Sequence, residues 1–180
     1  ITEKCTEEFN TIAIWCSNEK CDAIYPQSAD FTFYGGLYRG AHLICVPETH
    51  FELLHYGDLG IHAATEPASW DKEDFMLHIR TKICGVEKDN QVIYQIFDED
   101  GKEVASAARP ADSPDTSIPL YKPHRWDIKN SYQYTLKALI MRNNECLDEV
   151  ELKFGVRTFC CDPGRGFLIN GNCVPLRGVS

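Results

Sequence analysis

Cysteine and histidine side chains can bind metals, form covalent bonds or act as nucleophiles, and this chain contains nine cysteines and six histidines. No two cysteines have the CxxC spacing that zinc sites favour. Cys160 and Cys161 are neighbours whose side chains would point to opposite faces of a strand. We therefore expect buried or half-buried thiols that act as small hydrophobic side chains in a reducing compartment, with disulfides or a metal site as the alternatives.

The histidines are scattered along the chain, at positions 42, 50, 55, 62, 78 and 124. His50 and His55 stand five residues apart on an apparent loop, which is not the spacing of a metal site. The sequence also lacks a nucleophile elbow, a phosphate-binding loop and a zinc signature. It therefore predicts no metal site and no cofactor in this segment.

Carboxyl groups are the remaining candidates for acid–base chemistry. The clearest group is Asp98, Glu99 and Asp100, which is followed by Gly101 between two strand-like runs. Acidic residues in such a position are typical of a solvated turn. We expect these residues to close a hairpin and predict that the segment contains no catalytic residue.

The elements that would position these side chains are short strands. Apolar and polar residues alternate with a period of two, and turn residues recur every ~8–12 positions, as in a β-sandwich. Two stretches, 22–38 and 109–123, have no clean period and are predicted to be loops, the second with one short strand. The predicted strands are 11–16, 41–46, 75–84, 91–97, 102–107, 132–141 and 146–153.

Composition and charge exclude several classes of function. The formal net charge of −9 argues against nucleic acid and anionic membranes as partners, because both require clustered Lys and Arg. No apolar run approaches the ~20 residues that span a bilayer. The polar start of the sequence is unlike a secretory signal, which leads us to expect a cytoplasmic location.

Three segments resemble glycoside hydrolase family 2, which includes β-galactosidases and β-glucuronidases. They are DFTFYGGLYR at 30–39, RWDIKNSYQY at 125–134, and FGVR at 154–157 followed by GFLINGNCVPLRGV at 166–179. Together they span nearly the whole chain in the order that the family uses. Gly40, Ser131 and Gln133 depart from the usual Asp, Pro and Leu at those positions.

The resemblance implies an all-β chain that is part of a longer protein. Residues 1–50 would be the C-terminal part of a sugar-binding jelly roll, and residues 51–157 an immunoglobulin-like β-sandwich. Residues 158–180 would lead into a catalytic (β/α)₈ barrel and begin a new strand after a hairpin at Asn170-Gly171. An incomplete jelly roll exposes strand edges, so we also expect self-association or a homo-oligomer.

The resemblance also implies roles for three residues. Asp30 would accept hydrogen bonds from sugar hydroxyls, while Arg39 and Arg157 would be structural residues at domain junctions. The two catalytic glutamates would lie on the barrel, beyond Ser180. The parent enzyme would be a retaining β-galactosidase that acts on a carbohydrate substrate, with β-glucuronidase or β-mannosidase activity as the alternative.

Two other classes of function stay open on the sequence alone. The chain could be a free-standing carbohydrate-binding module, or an immunoglobulin-like structural protein unrelated to sugars. Trp126, Tyr132 and Tyr134 bear on this choice, since aromatic rings can stack on sugars. Alternating aromatic residues at the start of a strand more often belong to a sandwich core, which is the interpretation that we favour.

Overall fold

The computed structural model describes residues 2–22, 30, 32–54, 57–69, 71 and 73–178. The chain divides into two compact units, Ile1–Cys45 and Val46–Ser180. In the described residues the only helix is a single 3-10 turn at Thr2–Lys4, and no helix has the length and apolar character needed to cross a membrane. The structure is all-β, as predicted.

Twelve strands lie in the described residues of the second unit, and all of their pairings are antiparallel. They are β1 (His50–Phe51), β2 (Ile61–Pro67), β3 (Phe75–Thr81), β4 (Ile83–Cys84), β5 (Gln91–Phe97), β6 (Glu103–Pro110), β7 (Thr116–Leu120), β8 (Tyr134–Arg142), β9 (Glu145–Phe154), β10 (Phe159–Asp162), β11 (Gly166–Ile169) and β12 (Asn172–Cys173).

Two of the sheets form a sandwich around one hydrophobic core. One sheet has the order β2-β3-β7 and the other the order β6-β5-β8-β9. The core is continuous between them, since Leu77 and Ile79 of the first sheet cluster with Tyr94, Leu136 and Ile140 of the second. Two smaller sheets, β1-β4 and β10-β11-β12, complete the unit.

These strands form because apolar and polar side chains alternate along them, which places the apolar residues on one face of each sheet. In β3, Phe75, Leu77 and Ile79 are buried, while His78 and Arg80 lie on the outer face of the sheet. β5 has the predicted bounds, and β8 and β9 meet at the predicted turn, where Asn143 and Asn144 adopt positive φ as a tight hairpin requires. The hairpin at Asn170-Gly171 and the short strand within 109–123, which is β7, are also confirmed.

Other strand predictions were wrong or incomplete. β2 was not predicted, because its sequence IHAATEP has weak alternation and ends in proline. Residues 174–178, where a new strand was expected to begin, form no strand, and residues 179 and 180 lie outside the described residues. The immunoglobulin-like sandwich itself is present.

Two strand predictions near the start of the chain were wrong, while the assignment of residues 1–50 to a jelly roll stays a prediction. Residues 11–16 and 41–46 were expected to be strands, but neither stretch forms one. Trp15 is 91% exposed, and Ile14 and Leu43 are also exposed. A strand requires neighbours that satisfy its backbone groups, and the described part of this unit contains no sheet to supply them. In the predicted loop at 22–38, residues 23–29 and 31 lie outside the described residues, and the described residues of this stretch form no strand.

The expectation of buried or half-buried cysteines was wrong for eight of the nine. Only Cys84 is half-buried, and its thiol donates a hydrogen bond to Glu52 Oε2 at 3.1 Å. The others are exposed, because they lie in the first unit, at the start of β9 or in the terminal sheet β10-β11-β12, away from the sandwich core. Spacing in the sequence does not reveal which strands will be core strands.

Candidate functional site

The loop before β8 is anchored where β9 ends. Trp126 packs directly on Gly155, since a Cβ atom at Gly155 would lie only 2.8 Å from Trp126 Cβ. The guanidinium of Arg157 lies over the indole, 4.8 Å from the ring centroid. The indole is therefore held between a backbone that must lack a side chain and a cation that stacks on it.

Hydrogen bonds connect this contact to the terminal sheet. Trp126 N donates to Val156 O at 2.9 Å, and Asn170 Nδ2 donates to Trp126 O at 2.9 Å. Asn170 Oδ1 also accepts from Thr158 N at 3.0 Å. One amide side chain thus joins the loop before β8, the segment after β9 and the β11–β12 turn. We call Trp126, Gly155, Arg157, Thr158 and Asn170 the Trp126 junction.

Sequence reasoning identified this region only in part. Arg157 was predicted to be a junction residue, and it lies where three segments of the second unit meet. Its role between domains of a larger protein stays a prediction. The roles of Gly155 and Asn170 were missed, although both lie within the segments that carry the family resemblance, FGVR and GFLINGNCVPLRGV.

An aromatic row leads from the core to the surface. Phe154 and Tyr134 have ring centroids 5.7 Å apart, Tyr134 and Tyr132 5.2 Å, and Tyr132 and His124 4.7 Å. Tyr134 is only 4% exposed, which confirms it as a core residue. Tyr132 and Trp126 are half-buried, so each presents part of its ring to solvent.

The other predicted site residues lie in the first unit. Asp30 is exposed at a bend, and its neighbours at 23–29 and 31 lie outside the described residues. Arg39 is also exposed, and its guanidinium lies 5.4 Å from the ring centroid of Tyr38. The roles predicted for Asp30 in sugar binding and for Arg39 at a junction stay predictions.

Several carboxyl groups act as acceptors for backbone N–H groups. Asp127 Oδ1 accepts from Asn130 N and Lys129 N at 2.8 and 2.7 Å, and these bonds lower its pKa. The pKa of Glu52 is also lowered, first by the backbone N–H of Leu54 and then by the Cys84 thiol. A catalytic acid needs the opposite shift, because it must hold its proton near neutral pH.

The acidic turn has the predicted structural role. Asp98 Oδ1 accepts from the backbone N–H groups of Asp100 and Lys102, at 3.1 and 2.9 Å. Glu99 Oε1 accepts from Gln133 N at 2.9 Å, which ties the turn to the start of β8. Over the part of the chain that the structure describes, no group of three or more His, Cys, Asp and Glu residues is arranged to hold a metal ion.

Comparison with known proteins agrees with the segments identified in the sequence. The model of the family described as glycosyl hydrolases family 2 matches residues 64–157, which contain most of the sandwich. A solved FMN-binding β-glucuronidase from Facaelibacterium prausnitzii L2-6 is 43% identical and superposes with a TM-score of 0.84 over 91% of this chain and 25% of that protein.

Two curated relatives have different activities. A β-glucuronidase of Bacteroides fragilis is 28% identical over 96% of this chain, and the β-galactosidase BoGH2A of Bacteroides ovatus is 29% identical over 70% of it. This chain spans 26% of the first relative and 16% of the second. A β-glucuronidase structure from Ruminococcus gnavus, 23% identical with a TM-score of 0.58, shares the fold.

Proposed function

We propose that this chain, which belongs to family 2 of the glycosyl hydrolases, forms a non-catalytic β-sandwich portion of a β-glucuronidase. The observation that carries the proposal is the similarity to the F. prausnitzii β-glucuronidase, at 43% identity over 91% of the chain. The proposed activity is that of a longer protein, of which this chain would be about a quarter.

The sandwich would act as a scaffold in that protein. Retaining hydrolysis needs two carboxyl groups about 5–5.5 Å apart, one of which must be a proton donor. Glu52 and Asp127 have lowered pKa values. Asp98 accepts backbone hydrogen bonds within its own turn, and Glu99 accepts one from Gln133 at the start of β8. We therefore propose that the catalytic pair lies outside this segment, and that the Trp126 junction fixes the direction in which the chain leaves the sandwich.

A β-galactosidase is the second candidate and was favoured by the sequence analysis. It is supported by the 29% identity to BoGH2A over 70% of this chain. The two candidates differ in the sugar that the catalytic site accepts, and none of the proposed scaffold residues makes that choice.

The experiment compares two substrates with the longest protein that contains this chain. We expect kcat/KM for 4-nitrophenyl β-D-glucuronide to exceed that for the β-D-galactoside by about 10²-fold or more, because a site built to pair a carboxylate rejects a substrate that lacks one. The reverse ratio would favour the galactosidase. If neither is hydrolysed, both candidates are wrong, and hydrolysis by the 180-residue chain alone would disprove the non-catalytic role.

We also propose that Asp30 binds substrate in that longer protein. Replacing Asp30 with Asn removes the charge but keeps the size, so KM should rise about tenfold, as for loss of a charged hydrogen bond. Asp22→Asn is the control, since Asp22 is an exposed carboxylate in the same unit. Equal effects of the two changes would argue against a specific role for Asp30.

The F. prausnitzii relative is an FMN-binding enzyme, and this chain matches 25% of it. We propose, as the sequence predicts, that this segment contains no cofactor site. Titrating the 180-residue chain with FMN should leave the flavin fluorescence unchanged. Saturable quenching would show that the segment binds FMN and would overturn this proposal.

Location and self-association remain proposals too. Eight exposed cysteines suit a reducing compartment such as the cytoplasm, because exposed thiols oxidise elsewhere. Exposed apolar side chains in the first unit, including Phe9 and Trp15, favour self-association. Cell fractionation tests the location, and a compact monomer in size-exclusion chromatography would argue against the association.

A further inference from the structure

A groove of about 290 Å³ opens at one end of the sandwich, where the acidic turn before β6 lies beside the loop that follows β7. Its volume is at the lower end of the range for small-molecule sites. Six of its lining residues matter for what it could bind: Asp98, Asp100, Tyr121, Lys122, His124 and Tyr132.

Aromatic rings form the apolar part of the groove. Tyr121 is 72% exposed, so most of its side chain is accessible to solvent. Tyr132 is half-buried and carries the ring of His124 stacked on it at 4.7 Å. Tyr121 therefore has ring surface available to a ligand, and because His124 covers one face of Tyr132, a ligand would meet the exposed His124 side of this stack.

The loop that carries these rings is held in place. His124 N donates to Tyr134 Oη at 2.9 Å, and Lys122 N donates to Asp74 Oδ1 at 3.0 Å. Lys122 has a φ of 43°, a left-handed conformation that is uncommon for a residue with a side chain. A strained conformation fixed by such hydrogen bonds is typical of a binding loop.

Charged groups surround the rings. Asp98 lies in the turn with its Oδ1 held by backbone N–H groups, and Asp100 is exposed beside it. Lys122 Nζ lies 3.5 Å from Glu73 Oε2 in a pair that is largely exposed to solvent. Such a surface pair is weak, so the ammonium can still bind a ligand.

We propose that this groove binds the pyranose ring of a neutral saccharide. The C–H face of a sugar packs on aromatic rings, its hydroxyl groups donate to carboxylates, and its oxygens accept from an ammonium group. Acidic groups outnumber Lys122 at the groove, so the anionic form of a sugar acid is disfavoured. The inference goes beyond the proposed function, because it concerns binding by this segment and not hydrolysis.

The affinity should be modest. A methyl hexoside has about 13 non-hydrogen atoms, and the usual binding energy per atom then gives a Kd on the order of 1 mM. The test is an NMR titration of the 180-residue chain with methyl β-D-glucoside, methyl β-D-galactoside and methyl β-D-glucuronide. We expect a neutral sugar to bind at least about threefold more tightly than the glucuronide, with a smaller difference at high salt.

Exposed positions give the variants that test the site. Tyr121→Ala and Asp100→Asn should each weaken binding about fivefold or more, which is the effect of losing one ring contact or one charged acceptor. Both residues are exposed, so the fold should be retained, which circular dichroism would verify. Phe159→Ala is the matched control, because Phe159 is a 71% exposed aromatic residue elsewhere in the same unit, and it should leave binding unchanged.

Three results would overturn the proposal. One is the lack of saturable shifts for either neutral sugar up to about 20 mM, well above the expected Kd. Another is an equal loss of binding in Phe159→Ala and Tyr121→Ala. The third is a glucuronide that binds as tightly as the neutral sugars. Since a β-glucuronidase prefers the glucuronide in its catalytic site, failure here would leave the proposed activity untouched.

Discussion

The two units of this chain contain similar apolar residues in very different surroundings. Ile140 in β8 is completely buried between the sheets, whereas Ile12 in the first unit is 59% exposed. Both residues lie in runs that alternate as strands do. The sandwich unit has paired strands and a facing sheet, and the described part of the first unit has neither. Alternation thus makes a strand only where a partner supplies hydrogen bonds and a surface to cover.

The largest expected effect is in hydrogen exchange. In the 180-residue chain, backbone amides of β5 and β8 should exchange at least about 10³-fold more slowly than those at 11–16, since central strands open only by extensive unfolding. Mass spectrometry of peptides from both regions measures this. Protection at 11–16 equal to that of β8 would show that the first unit is as stable as the sandwich.

A matched pair of substitutions compares the same side chain in both units. Ile140→Ala should lower the free energy of unfolding by about 3 kcal/mol, because it leaves a cavity in a packed core. Ile12→Ala should change it by less than about 0.5 kcal/mol, as usual for exposed positions. Urea unfolding followed by circular dichroism provides both values. Similar losses would mean that Ile12 is buried in solution.

A third test concerns the Trp126 junction. Gly155→Ala should lower the free energy of unfolding by about 1–3 kcal/mol, because the added methyl group overlaps Trp126 and forces the loop to move. Gly164→Ala is the control, since its Cβ would meet only Asp162 Oδ1, at 3.5 Å. An unchanged free energy of unfolding in Gly155→Ala would show that Trp126 does not pack on this backbone in solution.

The smallest effect is a pH dependence inside the sandwich. Burial raises the pKa of Tyr94 from 10.0 to about 12. The pKa of Tyr94 is higher in the folded state than in the unfolded state. Its neutral side chain therefore contributes its full stabilisation below pH 10, and this stabilisation is lost as the pH rises toward 12. Between pH 9 and 10.5 the free energy of unfolding should fall by about 1 kcal/mol or less from this group.

Tyr94→Phe isolates that contribution. The pKa of Tyr134 is also raised by burial, so a shallower decline should remain in the variant. Unfolding measured at several pH values gives both slopes. An unchanged slope in Tyr94→Phe would show that Tyr94 is not the group responsible.

The sequence by itself determined most of the sandwich. The alternation in β3, β5, β8 and β9 is strong because their inward residues must be apolar and their outward residues meet water, and this pattern is visible without coordinates. The acidic turn before β6 and the Asn143-Asn144 turn could also be predicted from the sequence, since turn conformations restrict the residue types that fit them.

Only the tertiary structure decided which apolar runs became strands and which side chains met. The run at 11–16 alternates as the true strands do, yet nothing in its own residues shows that a partner is missing. Likewise, Gly155, Trp126 and Asn170 are distant in sequence, and their contact depends on how β9 and the terminal sheet are placed. Local patterns record the preference of a segment for one face, whereas pairing and packing depend on segments far along the chain.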